Sequence, residues 1–139
     1  MEADIIRLEL PAEYKYLHVL TVCIEALLER VESVSESSAL LYDIQLAVQE
    51  ACTNIIRHAY ANQVSNRIWV TLTLEAASRR FIIDLYDTGQ SFDPAQVPPP
   101  NFNEPQLGGM GWYLIRELMD EVIYQNQSGK NHLRLVKNL

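Results

Sequence analysis

The sequence predicts an α+β fold, a two-layer sandwich in which one mixed, mostly antiparallel sheet carries three helices on one face. Hydrophobic periodicity gives the element order β-α-α-β-β-loop-α-β-β, so the strands arrive in adjacent pairs instead of alternating with helices. The 139 residues correspond to one domain, 1–139, and 48% of them are hydrophobic, which suffices for a substantial core.

Charge and hydropathy exclude several classes of partner. A formal net charge of −7 without a basic cluster argues against nucleic-acid binding, because neutralising phosphate charge supplies much of that affinity. The same charge argues against docking on anionic membranes. No apolar run reaches the roughly 18 residues of a membrane span, and the charged start MEADIIRLEL is not typical of a secretory signal. The sequence therefore predicts a cytoplasmic protein.

The first half of the chain predicts one strand and two helices. Polar and apolar residues alternate over Asp4–Leu10, as expected for an edge strand. Apolar residues recur every three or four positions over Glu13–Ser33, which predicts a long helix. After a serine-rich break, Ser37 or Ser38 is a suitable cap for a central helix that runs to about Tyr60.

The second half predicts two hairpins separated by a loop and a helix. Arg67–Glu75 and Arg80–Tyr86 both alternate and are joined by a short link, which indicates an antiparallel hairpin. Asp87–Leu107 has no periodicity and holds five of the six prolines, so we interpret residues 89–107 as a mobile lid. The remaining predicted elements are a third helix and a last hairpin: Gly108–Met119, Glu121–Asn126 and Leu133–Lys137.

The central helix carries a polar row at the edge of its apolar face. Glu50, Asn54 and His58 follow at four-residue steps, so they lie on nearly the same side of the helix. A carboxylate and an amide at the margin of the core are suited to meet a bound cation and its phosphates. Three boundary residues with only local hydrogen bonds are an equal alternative, because such spacings are common by chance.

An aspartate follows the second strand of the first hairpin and begins the segment DTGQSFDP. A partly buried carboxylate at the mouth of the core needs a partner, and the exocyclic amine of adenine would supply one by donating to Asp87. Gly89 removes a side chain where a flat ring could approach the backbone. A simple turn at the strand end is the alternative.

Three glycines, Gly108, Gly109 and Gly111, lead into the third predicted helix. Glycines there allow successive N–H groups to point at one spot, and the helix N-terminus adds positive potential, which together favour a phosphate. The segment is not a P-loop, because no Gly-Lys-Ser/Thr follows. It is not a dinucleotide fingerprint either, because no parallel βαβ unit surrounds it.

In combination, the segments LAVQEACTNIIRHAY, DTGQSFDP and GGMGWYLIRELMDEVIY resemble the GHKL superfamily of histidine-kinase-like ATPases. The sequence is most similar to the short stand-alone branch, the serine/threonine-protein kinases that act as anti-sigma factors. The resemblance covers about Ile5–Lys137. It implies the ATP-binding fold of the Bergerat type.

The resemblance implies a role for each matching residue. Asn54 matches the asparagine that coordinates Mg²⁺ between the nucleotide phosphates, and Glu50 matches the acidic residue proposed as general base. Asp87 matches the adenine-binding aspartate, with Gly89 in support. The implied cofactors are therefore ATP and Mg²⁺.

Gly109 and Gly111 match the glycines that flank the lid and the phosphates, whereas His58 occupies a recurrent histidine to which we assign no chemistry. One position departs from the pattern. Family members often place a threonine beside the adenine, and the nearest residue here is Asn131, whose amide could replace the hydroxyl's hydrogen bond.

The resemblance implies a Mg²⁺/ATP-dependent protein serine/threonine kinase that phosphorylates a small anti-sigma factor antagonist, a STAS-type protein, in trans. A sigma factor is the implied competing partner, and the resemblance also favours a homodimer. Two alternatives stay open: an ATP-gated binding module without phosphotransfer, and the detached catalytic domain of a histidine kinase. Retention of Glu50 argues against the first, and the short chain argues against the second.

Overall fold

The computed structural model describes residues 3–31, 38–99, 101, 103 and 110–139. Its strands are β1 Asp4–Pro11, β2 Arg67–Glu75, β3 Arg80–Asp87, β4 Glu121–Gln127 and β5 Lys130–Asn138. They form one sheet in the order β1-β2-β3-β5-β4. All four neighbouring pairs are antiparallel, so the described sheet is antiparallel throughout, where the sequence predicted a mixed and mostly antiparallel one.

Three α-helices in the described part of the chain pack on this sheet: α1 Leu17–Leu28, α2 Ser38–Asn54 and α3 Met110–Leu118. Helix α2 contacts both α1 and α3. The predicted two-layer α+β fold is therefore confirmed. None of the described helices is long and apolar enough to cross a membrane.

The alternation of β2 explains how the sheet acquires a buried face. Every second residue, from Ile68 to Leu74, is buried, and the residues between them are half-buried. The core between the two layers is made of fully buried side chains from strands and helices: Leu20, Ile24, Ile44, Val48, Ile68, Leu72, Phe81, Ile83, Ile115 and Leu135. Each such side chain contributes roughly 1.5–3 kcal/mol through the apolar surface that it removes from water.

The helix boundaries differ from the predicted ones. The first predicted helix, Glu13–Ser33, begins with the separate 3₁₀ turn Tyr14–Tyr16, and its α-helical part is α1. The central helix is α-helical to Asn54 and continues as the π-helix Ile55–Ala59, so its end is wound differently from a regular helix. Ser38 is the first residue of α2, whereas the alternative cap at 37 lies outside the described residues.

The last hairpin is tighter than predicted. Strands β4 and β5 are joined by Ser128 and Gly129, which have φ angles of 53° and 78°. Two residues with positive φ are the geometry of a type I′ turn, which suits the twist of two antiparallel strands. The short turn extends the pairing of β5 to Lys130, and this register places Asn131 opposite both Asn126 and Asp87.

Candidate nucleotide-binding site

A cavity of about 440 Å³ opens between the end of the central helix, the start of α3 and the ends of β3, β4 and β5. Apolar and aromatic side chains make up most of its wall, with a few polar groups among them, as is usual for small-molecule sites. Its lining residues include Asn54, Ile55, His58, Asp87, Gln90, Phe92, Gly111, Trp112, Ile115, Tyr124 and Leu133.

The structure brings three of the predicted site residues, Asn54, Asp87 and Gly111, to this one cavity. Glu50 lies immediately beside them. A Cβ atom placed on Gly111 would be 2.9 Å from Glu50 Oε2, 3.4 Å from Asn54 Nδ2 and 3.5 Å from Asn54 Oδ1. Gly111 therefore directly faces Glu50 and Asn54, the polar pair of α2. The remaining predicted glycine, Gly109, lies outside the described residues.

Asp87 is a nearly buried carboxylate at the end of β3, with an exposed fraction of 4%. Its Oδ1 accepts hydrogen bonds from the backbone N–H of Gly89 at 2.9 Å and from Asn131 Nδ2 at 2.8 Å. Burial raises the pKa of Asp87, and the hydrogen bonds from Asn131 and Gly89 act in the opposite direction. Within the described residues Oδ2 accepts no hydrogen bond, so this oxygen remains available to a ligand in the cavity.

Asn131, the residue that departs from the family pattern, is buried and fully engaged. Its Nδ2 donates to Asp87 Oδ1 and to the backbone oxygen of Gly89 at 3.0 Å, and its Oδ1 accepts from Asn126 Nδ2 at 2.6 Å. Both N–H groups of the amide are therefore used inside the protein. Whether this amide replaces a hydroxyl beside the adenine stays a prediction; in the structure Asn131 holds Asp87 and the backbone oxygen of Gly89.

Gly89 serves a different purpose from the one that the sequence suggested. A Cβ atom on Gly89 would lie 2.4 Å from the backbone oxygen of Ala59 and 2.9 Å from the Ala59 Cβ. The space is thus occupied by the end of the π-helix and is not open to a flat ring. The backbone N–H of Gln90 donates to the same Ala59 oxygen at 2.9 Å, so the loop after β3 is fastened to the central helix.

A buried tyrosine adds a second fastening at this point. The hydroxyl of Tyr60 donates to the backbone oxygen of Arg67 at 2.6 Å and accepts from the backbone N–H of Thr88 at 2.9 Å. A hydroxyl can both donate and accept, so one side chain connects the helix end, the start of β2 and the loop after β3. The positions of Asp87 and of the π-helix are thereby coupled.

The first part of the predicted lid lies on the cavity. The ring of Phe92 packs on Tyr124 with a centroid distance of 4.5 Å and on Trp112 at 5.3 Å. Its backbone N–H donates to the Tyr124 hydroxyl at 3.3 Å. Asp93 then accepts from the N–H of Ala95 and begins a short 3₁₀ turn. Of the remaining lid residues, 100, 102 and 104–107 lie outside the described part of the chain.

Sequence reasoning missed several residues of this site. It left Tyr124 and Asn126 without a role, and it treated Trp112 only as a core or rim residue. The alternation of β4 is the signal that could have found the first two, because it places Val122, Tyr124 and Asn126 on the same side of the strand. The alternation could not show that Tyr124 contacts the loop at Phe92, because that contact depends on the tertiary structure.

Comparison with known proteins agrees with this geometry. The chain belongs to the family described as the histidine kinase-like ATPase domain, whose model matches residues 10–137. It is 30% identical over 135 residues to serine-protein kinase RsbW of Bacillus subtilis strain 168, and the alignment covers 91% of this chain and 81% of that protein. It is 32% identical over 134 residues to serine-protein kinase RsbW of Staphylococcus epidermidis, with 91% and 82% covered. The predicted ATP use and the predicted class, a protein serine/threonine kinase, are confirmed.

Two solved structures have a similar fold. The crystal structure of the RsbU and RsbW domains of a Mycobacterium tuberculosis protein aligns with a TM-score of 0.66 at 17% identity, over 98% of this chain and 32% of that one. A blue-light activated histidine kinase of Erythrobacter litoralis aligns with a TM-score of 0.56 at 19% identity, over 72% of this chain and 30% of that one. At these identities the likeness shows the fold alone.

Proposed function

We propose that this chain is a Mg²⁺/ATP-dependent serine/threonine kinase that phosphorylates a small STAS-type anti-sigma factor antagonist in trans. In this partner-switching role, a sigma factor is the competing protein partner. The observation that carries the proposal is the convergence of Asn54, Asp87 and Gly111 on one cavity, with Glu50 Oε2 beside the glycine. We also propose a cytoplasmic location, as the sequence predicts, and a homodimer, as the resemblance implies.

The cavity fits an adenine nucleotide. Its volume of about 440 Å³ lies within the usual range for ligand sites, and its aromatic and aliphatic wall suits a flat base. Asp87 Oδ2 can accept a hydrogen bond from the exocyclic amine of adenine, whereas guanine would present a carbonyl oxygen and be repelled. Because Asp87 is nearly buried, this hydrogen bond forms with little competition from water.

The polar pair of α2 fits a magnesium ion held with the phosphates. Glu50 and Asn54 offer carboxylate and amide oxygens, the hard ligands that Mg²⁺ takes, and Gly111 leaves space above them. When bound, Mg²⁺ would neutralise phosphate charge during transfer. We assign Asn54 to the metal. Glu50 is then free to accept the proton of the incoming serine or threonine hydroxyl.

The test is phosphotransfer from γ-labelled ATP to a purified antagonist, with Glu50→Gln as the key variant. This change keeps the size and hydrogen bonding of the side chain but removes the base, so transfer should fall by about 10²- to 10⁴-fold while Mg²⁺-ATP binding persists. Glu117→Gln is the matched control, because Glu117 is exposed near the end of α3 and makes the same charge change. Parent-like transfer by Glu50→Gln would refute the base assignment.

The chemistry of the product distinguishes the alternatives. Phosphoserine or phosphothreonine on the antagonist supports the kinase, and acid-labile phosphohistidine supports a histidine kinase domain. Nucleotide-dependent binding of the antagonist without any transfer supports the ATP-gated binding module. Asp87→Asn should abolish the rise in melting temperature that Mg²⁺-ATP produces, because the amide presents a donor to the adenine amine.

A further inference from the structure

Three side chains from three strands form a chain of hydrogen bonds that ends at the cavity. Asn126 of β4 donates to Asn131 of β5 at 2.6 Å, and Asn131 donates to Asp87 of β3 at 2.8 Å. Asn131 is 1% exposed and Asp87 is 4% exposed, while Asn126 is exposed to solvent. These hydrogen bonds therefore connect the surface at the sheet edge to a buried carboxylate.

The partners of Asn131 determine which way its amide faces. Its Nδ2 contacts a carboxylate oxygen of Asp87 and the backbone oxygen of Gly89, and both atoms can only accept. The opposite orientation would place an amide oxygen against two acceptors. Asn126 completes the arrangement from the other end, because its Nδ2 needs the acceptor that Asn131 Oδ1 provides.

This arrangement fixes what Asp87 can do. Two donors, Asn131 and the N–H of Gly89, both point at Oδ1, so a proton cannot occupy that oxygen. These two hydrogen bonds hold the carboxylate through Oδ1, and Oδ2 is left on the cavity side as an acceptor. Only a protonated carboxyl group could donate to a base that lacks the amine, and the two donors at Oδ1 favour the ionised form.

We propose that Asn131 and Asn126 are positioning residues that set the nucleobase selectivity of the site, by holding Asp87 as an acceptor for an exocyclic purine amine. The inference rests on the proposed ATP site and names how that site selects its base. It predicts that the two asparagines affect discrimination between purines, whereas a merely structural role would weaken the binding of all nucleotides alike.

The experiment compares the affinity for ATP with that for purine riboside triphosphate, which has the same phosphates but lacks the 6-amino group. The parent should prefer ATP by about tenfold or more, the value of one hydrogen bond to a charged group. Asn131→Leu keeps the branched shape and removes both donors, so this ratio should fall to about threefold or less as Asp87 loses its charge-assisted hydrogen bond.

Asn126→Asp provides a second variant at an exposed position, where folding is not at risk. Its carboxylate would repel Asn131 Oδ1 and favour the reversed orientation of the Asn131 amide. The preference for ATP over purine riboside triphosphate should therefore fall here too. Gln125→Glu is the matched control. It adds the same charge one residue away on β4, on the opposite side of the strand, and should keep the parent ratio. The added charge acts equally on both triphosphates and does not alter the ratio.

The outcomes separate this inference from the proposed function. No ATP binding by the parent would refute the nucleotide site itself. Equal binding of the two triphosphates by the parent, or a parent-like ratio in folded Asn131→Leu, would overturn the positioning role while leaving ATP binding intact. If Asn131→Leu does not fold, Asn126→Asp decides: a lowered ratio supports the inference, and an unchanged ratio overturns it.

Discussion

Replacing Gly111 with alanine should separate stability from function at this site. Gly111 is the second residue of α3, and its missing Cβ lies over Glu50 and Asn54. A new methyl group would be 2.9 Å from Glu50 Oε2, closer than carbon and oxygen normally approach, so the carboxylate must move. Because that atom is the free end of a flexible side chain, the backbone need not shift.

The expected effect on folding is small and favourable or neutral. Alanine is better than glycine in a helix by up to about 1 kcal/mol, and this gain offsets the displacement of the Glu50 carboxylate. The expected effect on transfer is large, because a misplacement of about 1 Å at a reacting group can lower the rate about 10²-fold. The methyl group would also enter the space that the proposed function assigns to phosphate and metal.

Gly89→Ala is the contrasting variant. Its Cβ would lie 2.4 Å from the backbone oxygen and 2.6 Å from the carbonyl carbon of Ala59, and neither atom can move without unwinding the π-helix. Overpacking of this kind costs about 1–3 kcal/mol, occasionally more, in the free energy of unfolding. Gly89→Ala should therefore lose stability, whereas Gly111→Ala should lose transfer.

Urea unfolding and transfer from γ-labelled ATP, measured on both variants, test this reasoning. The expected pattern is a parent-like midpoint with transfer reduced at least about 10²-fold for Gly111→Ala, and a lowered midpoint for Gly89→Ala. Normal transfer by Gly111→Ala would show that the space above Glu50 is not used. A parent-like midpoint for Gly89→Ala would contradict the tight contact with Ala59.

Three further predictions concern buried groups. Tyr60→Phe should lower the free energy of unfolding by about 1–3 kcal/mol, because the buried hydroxyl loses two hydrogen bonds, to the backbone oxygen of Arg67 and from the backbone N–H of Thr88. An equilibrium urea titration that shows no change would contradict this. Burial raises the pKa of Asp87, so the folded state disfavours the ionised carboxylate. The free energy of unfolding should therefore decline as the pH rises from the ordinary aspartate pKa through the raised one. Asp87→Asn should abolish this decline, and an equal decline in the variant would show that another group causes it. Burial raises the pKa of the Cys52 thiol to about 12, so native alkylation by iodoacetamide should spare Cys52 and modify half-buried Cys23, as peptide mass mapping can check.

The sequence by itself determined the elements and part of the site. Strong alternation in β2 and β3 and three-to-four-residue periodicity in α1 and α2 are local patterns, so both strands and both helices are where they were predicted, with small boundary changes. Asp87 was found because it follows an apolar strand, and a carboxylate there needs a partner. Glu50 and Asn54 were placed on one side of the central helix because helical spacing is fixed, whereas their proposed roles come from the resemblance.

The tertiary structure decided everything that depends on contacts between distant segments. Asn131 is 44 positions from Asp87, and no local pattern indicates that its two donors are used on Asp87 and Gly89. The π-helical end at Ala59 makes glycine necessary at 89, and this close approach joins two segments that are distant in the sequence. The physical reason is that periodicity records only which side of an element is apolar. Which polar atoms meet across the layers is set by strand register and helix placement, and these follow from the packing of the whole core.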